Sequence, residues 1–260
     1  MLDIVFAVCS ALAYGAAPLI YAPALKCTSQ FRAMSVFSVY SIALGLLLPW
    51  RDVGAEGLLY ATAAGLLGGV LGSWLYITSI KTGGPSIGNI SSSLYIVLVP
   101  VFGGRLWLLP SAAAVLTGVA LSSGGRRESW LGGLYGIGAA FVWSFSILLY
   151  AAGVESLGPG GALAVRGVVV FVTSLLLSRG QRVCEYFRLF VGGFVDTFLG
   201  FGSYTAAVWL GDYARTTLIA SAYPLVTSLL DRPWRARRVL GAVAAFLGLA
   251  YAVYSYKTSF

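Results

Sequence analysis

No feature limits the fold of this chain more than its long apolar stretches. About 20 residues of helix cross a hydrocarbon core, and apolar runs near that length fall at 3–23, 31–49, 57–79, 86–104, 106–122, 131–152, 161–178, 187–208, 215–230 and 238–256. They take up most of the 260 residues and leave no room for a separate soluble domain. Charged residues make up 10% of the chain, where a soluble domain carries about 25%. In lipid each backbone N–H and C=O must find its partner inside the protein, and a helix supplies it within one segment. The expected fold is an all-α integral membrane protein with ten transmembrane helices.

The net charge of +8 does not point to nucleic acid. Nearly all the Lys and Arg lie between apolar spans, where positive charge sets topology. Residues 1–23 do not read as a signal peptide, because Asp3 stands where a basic residue would and the apolar run is too long. The chain has no histidine, which removes Ser-His and Cys-His catalysis and most zinc sites. It has no Gly-x4-Gly-Lys-Ser/Thr nucleotide loop. These absences argue for a non-enzyme with neither cofactor nor metal. Cys9 lies in a span, and Cys27 and Cys184 lie in loops. An odd count without close pairing argues against a disulfide, so all three are expected as plain small residues.

The two halves resemble each other. ALAYGAAPLIY (11–21) aligns with AFVWSFSILLY (140–150), matching Tyr14 to Trp143 and Tyr21 to Tyr150. LGSWLYITSIK (71–81) aligns with LGFGSYTAAVW (199–209), matching Gly72 to Gly200 and Tyr76 to Tyr204. At the same offset of 128, Ser93 matches Ser221 and Tyr95 matches Tyr223. The expected organisation is a five-helix repeat at 1–124, a linker at 125–130 and a second repeat at 131–260. An odd number of spans turns the second copy upside down. That is the inverted repeat of many secondary transporters, with the substrate near the midplane in a central cavity.

Short or Gly/Pro-interrupted spans at matching positions point to such a site. The fourth span carries Asn89, Ser91, Ser92, Ser93 and Pro100. The ninth, IASAYPLVTSLL (219–230), carries Ser221, Tyr223 and Pro224. Proline removes a backbone donor and frees a carbonyl one turn earlier. Pro100 and Pro224 are therefore expected at helix bends, with Pro224 facing the protein interior or serving packing alone.

With that repeat, the chain resembles the drug/metabolite transporter superfamily in its ten-helix EamA-like branch. The resemblance rests on Arg32 and Arg166 early in the second and seventh spans, YITSIKTG (76–83), SAYPLVTSLL (221–230) and GAVAAFLGL (241–249). Asp231–Arg232 stands where the family has Glu-Arg. The resemblance covers nearly the whole chain, on loose motifs of mostly small or apolar residues. The chain departs from it at Arg105, which has no Glu before it, and at Ile96, the counterpart of Pro224. Its first helix also lacks the membrane Glu that small multidrug exporters use for proton coupling. The resemblance implies a basket of helices with the fourth and ninth around the cavity and the fifth and tenth at the periphery. It implies movement of small metabolites, often amino acids and often outward.

Candidate cavity residues follow helical spacing. Tyr14 and Tyr21 share a face, as do Trp143 and Tyr150, Asn89 and Ser93, and Thr217 and Ser221; Tyr76, Tyr95, Tyr204 and Tyr223 complete the set. Tyr and Trp suit a small amphipathic solute, although interfacial belts would also explain Tyr21 and Tyr150. Gly65, Gly68, Gly69 and Gly72, and later Gly132 and Gly136, form faces for close helix packing. Arg166 and Asp196 are the ionisable residues within spans, about 8 Å and 14 Å deep at 1.5 Å per residue. Mid-membrane charge costs about 2.5–3.5 kcal/mol, so each marks function by default. Asp196 reads as a proton-coupling carboxylate, a substrate contact or half of an ion pair with Arg166. Lys81 stands at the cavity mouth or anchors to headgroups.

The expected function is a secondary transporter, by preference an exporter, of small organic metabolites such as amino acids, working by alternating access with proton or ion coupling as an option. The alternatives are a small multidrug, cation or sugar transporter of the same fold and, in another class, a membrane-embedded enzyme or a non-transporting membrane protein. The expected partners are a small-molecule substrate and the lipid bilayer of the cell membrane, with no nucleic acid, and a monomer suffices. Loop charge predicts topology. The side of the termini carries Arg51, Arg105, Arg215 and Lys257, and the other side carries the remaining twelve loop Lys and Arg, from Lys26 to Arg238. The richer side is expected in the cytoplasm, which puts both termini outside, whereas the resemblance implies both inside.

Overall fold

The computed structural model describes residues 2–102, 110, 113–114, 117–118, 121, 127–179, 181–211, 213–220, 222–231 and 236–258. Every regular element among them is a helix. α1 spans Leu2–Leu25 and α2 spans Gln30–Leu47. Ser29 caps α2, its side chain accepting from the Arg32 N–H. α3 (Ala55–Ala64) runs through a π segment, Gly65–Gly72, into α4 (Ser73–Gly83). α5 (Pro85–Ser92) and α6 (Tyr95–Phe102) form an interrupted pair. α7 (Arg127–Leu177) holds two helices joined at Gly158, where φ is 76°. Glycine takes that conformation without steric cost, and Pro159 opens the helix beyond it, where no N–H is needed. α8 (Tyr186–Gly193), a second π segment (Phe194–Phe201) and α9 (Gly202–Leu210) form the next rod. α10 (Tyr213–Ala220), α11 (Tyr223–Leu230) and α12 (Ala236–Thr258) complete the chain.

Leu2–Leu25, Gln30–Leu47, Ala55–Gly83 and Ser129–Leu177 are long and apolar enough to cross a membrane. The described helices lie along the apolar stretches read from the sequence, except that most of 106–122 lies outside the described residues, as do Arg105, Ser221 and Arg232.

The two halves of the sequence interleave. α1 packs against α8, the second π segment, α9, α10 and α11, all from the second half. α2 packs against α7 and the second π segment, and α3 to α6 pack against α7. Glycines permit the closest of these approaches. A Cβ on Gly72 would sit 2.5 Å from the Trp143 indole, and one on Gly69 would run into Val170. In lipid, helices associate by close packing and hydrogen bonds, which accounts for the glycine face on the first π segment.

One expectation is corrected here. Cys27 and Cys184 form a disulfide, with Cα atoms 6.0 Å apart. They are 157 residues apart in sequence, and it is the packing of α1 on α8 that brings their loops together. Cys9 is the free, exposed cysteine. Pro224 lies in the first turn of α11, after a turn at Ala222. It opens a new helix, where its missing N–H leaves nothing unsatisfied. Pro100 lies within α6, and α1 runs through Pro18 and Pro23.

Candidate functional site: a central cavity and its polar walls

A cavity of about 150 Å³ lies among the interleaved helices. Of the residues singled out in the sequence, Tyr14, Tyr76, Tyr95, Trp143, Tyr204, Tyr223, Arg166 and Asp196 line it. Tyr21 and Tyr150 line it too, at 1% and 3% exposure, so they are cavity walls and not an interfacial belt. Ten of the 25 lining residues are aromatic. Trp143 meets Tyr76 with ring centroids 5.1 Å apart and Tyr95 edge-on at 5.7 Å. Tyr14 meets Tyr223 at 6.2 Å. Edge-on and tilted aromatic pairs are favourable beyond their buried area, so these rings hold one another in place.

Asn89, Ser93 and Thr217 stand behind the wall. The Tyr76 hydroxyl donates to Asn89 Oδ1. Asn89 Nδ2 donates to Thr227 Oγ1 at 2.6 Å and to the Tyr14 carbonyl at 3.2 Å. That carbonyl is available because Pro18, four residues on, has no N–H to give it. Asn89 thus satisfies a backbone acceptor that lipid would leave bare. The Tyr204 hydroxyl pairs with Thr217 Oγ1 at 2.7 Å. Ser93, just after α5, donates to Ile90 O within that helix. Lys81 is not part of the wall; its Nζ donates to the Thr28 carbonyl at 3.1 Å. Ser221 lies outside the described residues.

Ser92, one of the fourth-span serines, lines the cavity, and so do Ser38, Ser41, Ser73, Ser146 and Phe201, which the sequence does not single out. Ser38 and Ser41 are three apart in an apolar helix, and that spacing was the available signal. Phe201 carried none, since an apolar ring in an apolar span looks like core.

Arg166 and Asp196 set the electrostatics. The Arg166 guanidinium carbon lies 4.2 Å from the centroid of Phe201 and 6.0 Å from that of Tyr150. A cation over aromatic faces is attracted by the ring quadrupole, which fixes the long side chain without consuming its donors. Asp196 sits in the second π segment, and π segments recur at functional sites. The two groups face the same cavity without a direct ion pair. Among the described residues, the ion pair closer than 4.0 Å is Arg188–Glu185, at 3.4 Å and well exposed.

Comparison with known proteins places this architecture. No curated protein sequence matches the chain. A solved crystal structure, described only as that of a protein, is similar in fold, with a TM-score of 0.67, 16% sequence identity and 96% of each chain covered. The model of the EamA-like transporter family matches residues 130–254. That family consists of membrane transporters of the drug/metabolite type rather than enzymes, which brings with it a small-molecule substrate and a lipid environment. Over residues 130–254 this integral membrane protein is thus similar to the EamA-like transporter family, a family of the drug/metabolite transporter superfamily.

Proposed function

We propose that the chain is a secondary transporter, working as an exporter in the cell membrane, of small zwitterionic metabolites such as amino acids. The observation that carries this reading is the cavity itself, which offers a guanidinium and a carboxylate that are not spent on each other. Arg166 receives the anionic group of the solute and Asp196 its cationic nitrogen, while the aromatic wall takes the apolar remainder. Asp196 also serves as the coupling carboxylate, exchanging a proton for the ammonium group when the solute leaves. A monomer suffices, because all these groups come from one chain.

We read the molecule as ten transmembrane helices in two inverted repeats that alternate access to this cavity. Three pairs of features support that reading. The Tyr76–Asn89 and Tyr204–Thr217 bonds each span 13 residues and are offset by 128. The π segments Gly65–Gly72 and Phe194–Phe201 are offset by 129. The interruption between Ser92 and Tyr95 is matched 128 residues later by the one between Ala220 and Tyr223. Matched irregular segments at a repeat interface are where transporter sites lie.

The test is ligand-induced thermal stabilisation of the purified protein by amino acids, by their amides and by their decarboxylated amines. Zwitterions should raise the melting temperature, and analogues missing either charge should not. Stabilisation by sugars or by amines alone would overturn the zwitterion reading.

A further inference from the structure

We propose that the Cys27–Cys184 disulfide is a redox-sensitive latch that keeps one end of the cavity shut. The bond ties the turn after α1 to the segment that leads into α8. Thr28, next to Cys27, is held by the same segment: its Oγ1 donates to Cys184 O at 3.3 Å and accepts from Cys184 N at 3.2 Å. So fixed, Thr28 presents its carbonyl to Lys81 Nζ at 3.1 Å, and Gln30 Nε2 donates to Thr78 Oγ1 at 3.2 Å. Lys81 and Thr78 belong to α4, so these two bonds clasp the α1–α2 turn to α4. Near the clasp Tyr21, Leu25, Met34, Ile77 and Ile80 are buried in one cluster, and Tyr21, Met34 and Ile77 of these also line the cavity. A latch that pre-orients Thr28 strengthens the clasp without touching a solute.

The bond is placed to respond to thiols. Cys27 is exposed and Cys184 half-buried. Glu185, the next residue, has φ 53°, a conformation uncommon outside glycine, so the segment is held in a shape it can relax from. The bond also lies at the end that carries Lys26, Arg179, Arg182 and Arg188, the end that loop charge assigns to the cytoplasm. Disulfides in that compartment are mostly transient and redox-sensing. Opening consumes a dithiol reductant: its thiolate attacks one sulfur, the S–S bond breaks, both cysteines take up a proton, and the reductant, oxidised by two electrons, closes to its own disulfide.

The experiment needs no substrate, so it can fail or succeed independently of the transport reading. A Cys9→Ser protein carrying Ile77→Cys as reporter is alkylated with a small maleimide, and modification of the introduced thiol is followed by peptide mass spectrometry. The disulfide-bonded form is compared with the same protein after dithiol reduction and removal of the reductant, and with a version that also carries Cys27→Ser and Cys184→Ser. Losing one charge-assisted hydrogen bond should speed labelling roughly tenfold in both opened forms, and Lys81→Met should do the same with the disulfide intact. Hydrogen exchange of residues 24–37 in the unsubstituted protein, bonded against reduced, gives the same answer without relying on any variant to fold. Equal labelling and exchange in the bonded and reduced forms would overturn the latch, as would alkylation of Cys27 and Cys184 without prior reduction.

Discussion

Asp196 and Arg166 carry charge into an apolar interior, and their setting separates two kinds of role. A structural ion pair would bring them into contact, whereas here Arg166 lies over Phe201 and both groups face the cavity. Charged contacts to a solute contribute about 1.5–3 kcal/mol each, so losing one weakens binding roughly ten- to hundredfold. Arg166→Gln is expected to raise the apparent Kd for a zwitterion by that factor, measured by isothermal titration. Asp196→Asn keeps the shape and is expected to remove both transport and its pH dependence; normal transport by this variant across the physiological pH range would exclude coupling through Asp196. Asn89 is a different case. Asn89→Leu would bare the Tyr14 carbonyl and unseat Tyr76, so a loss of about 1–3 kcal/mol of stability is expected, read as a lower unfolding temperature. The sequence marked Asn89 as polar, but it took Pro18 in a different helix to explain what the side chain is for.

At the level of elements, apolar length located the helices well because the bilayer leaves few other options. Their irregularities were less legible. The interruption near Pro224 could be anticipated from the proline, while the matching one at Ser93–Leu94 has no proline and showed only as a cluster of serines. The π segments carry no periodicity signal. One is rich in glycine and the other holds Asp196, and both read as ordinary helix until packing is known. The first depends on the approach of α7: Trp143 Nε1 donates to Gly68 O at 3.0 Å. Gly72→Val would drive a side chain into that indole. Overpacking of this kind costs about 1–3 kcal/mol, and the variant should melt earlier and lose ligand stabilisation, because Trp143 also forms the cavity wall.

For the whole molecule, the hardest feature to foresee was the interleaving of the halves. Matching motifs suggested two copies in sequence, and α1 nonetheless packs on α8 to α11. The Cys27–Cys184 bond was missed for this reason, since nothing local reports a contact 157 residues away. Topology follows from charge counted over the whole chain. The end bearing twelve of the loop Lys and Arg is expected in the cytoplasm. A thiol introduced by Ala236→Cys, with Cys9, Cys27 and Cys184 replaced, should resist an impermeant maleimide in intact cells; ready labelling would reverse the orientation.

The central claim is that one cavity, served by Arg166 and Asp196, carries a small zwitterion across the membrane. Counterflow in proteoliposomes tests it most directly: vesicles preloaded with an unlabelled amino acid should transiently accumulate the same amino acid, labelled, from outside. The account predicts accumulation with the unmodified protein and none with Arg166→Gln. Equal accumulation by both proteins, or none from any amino acid with a protein that zwitterions stabilise, would contradict it.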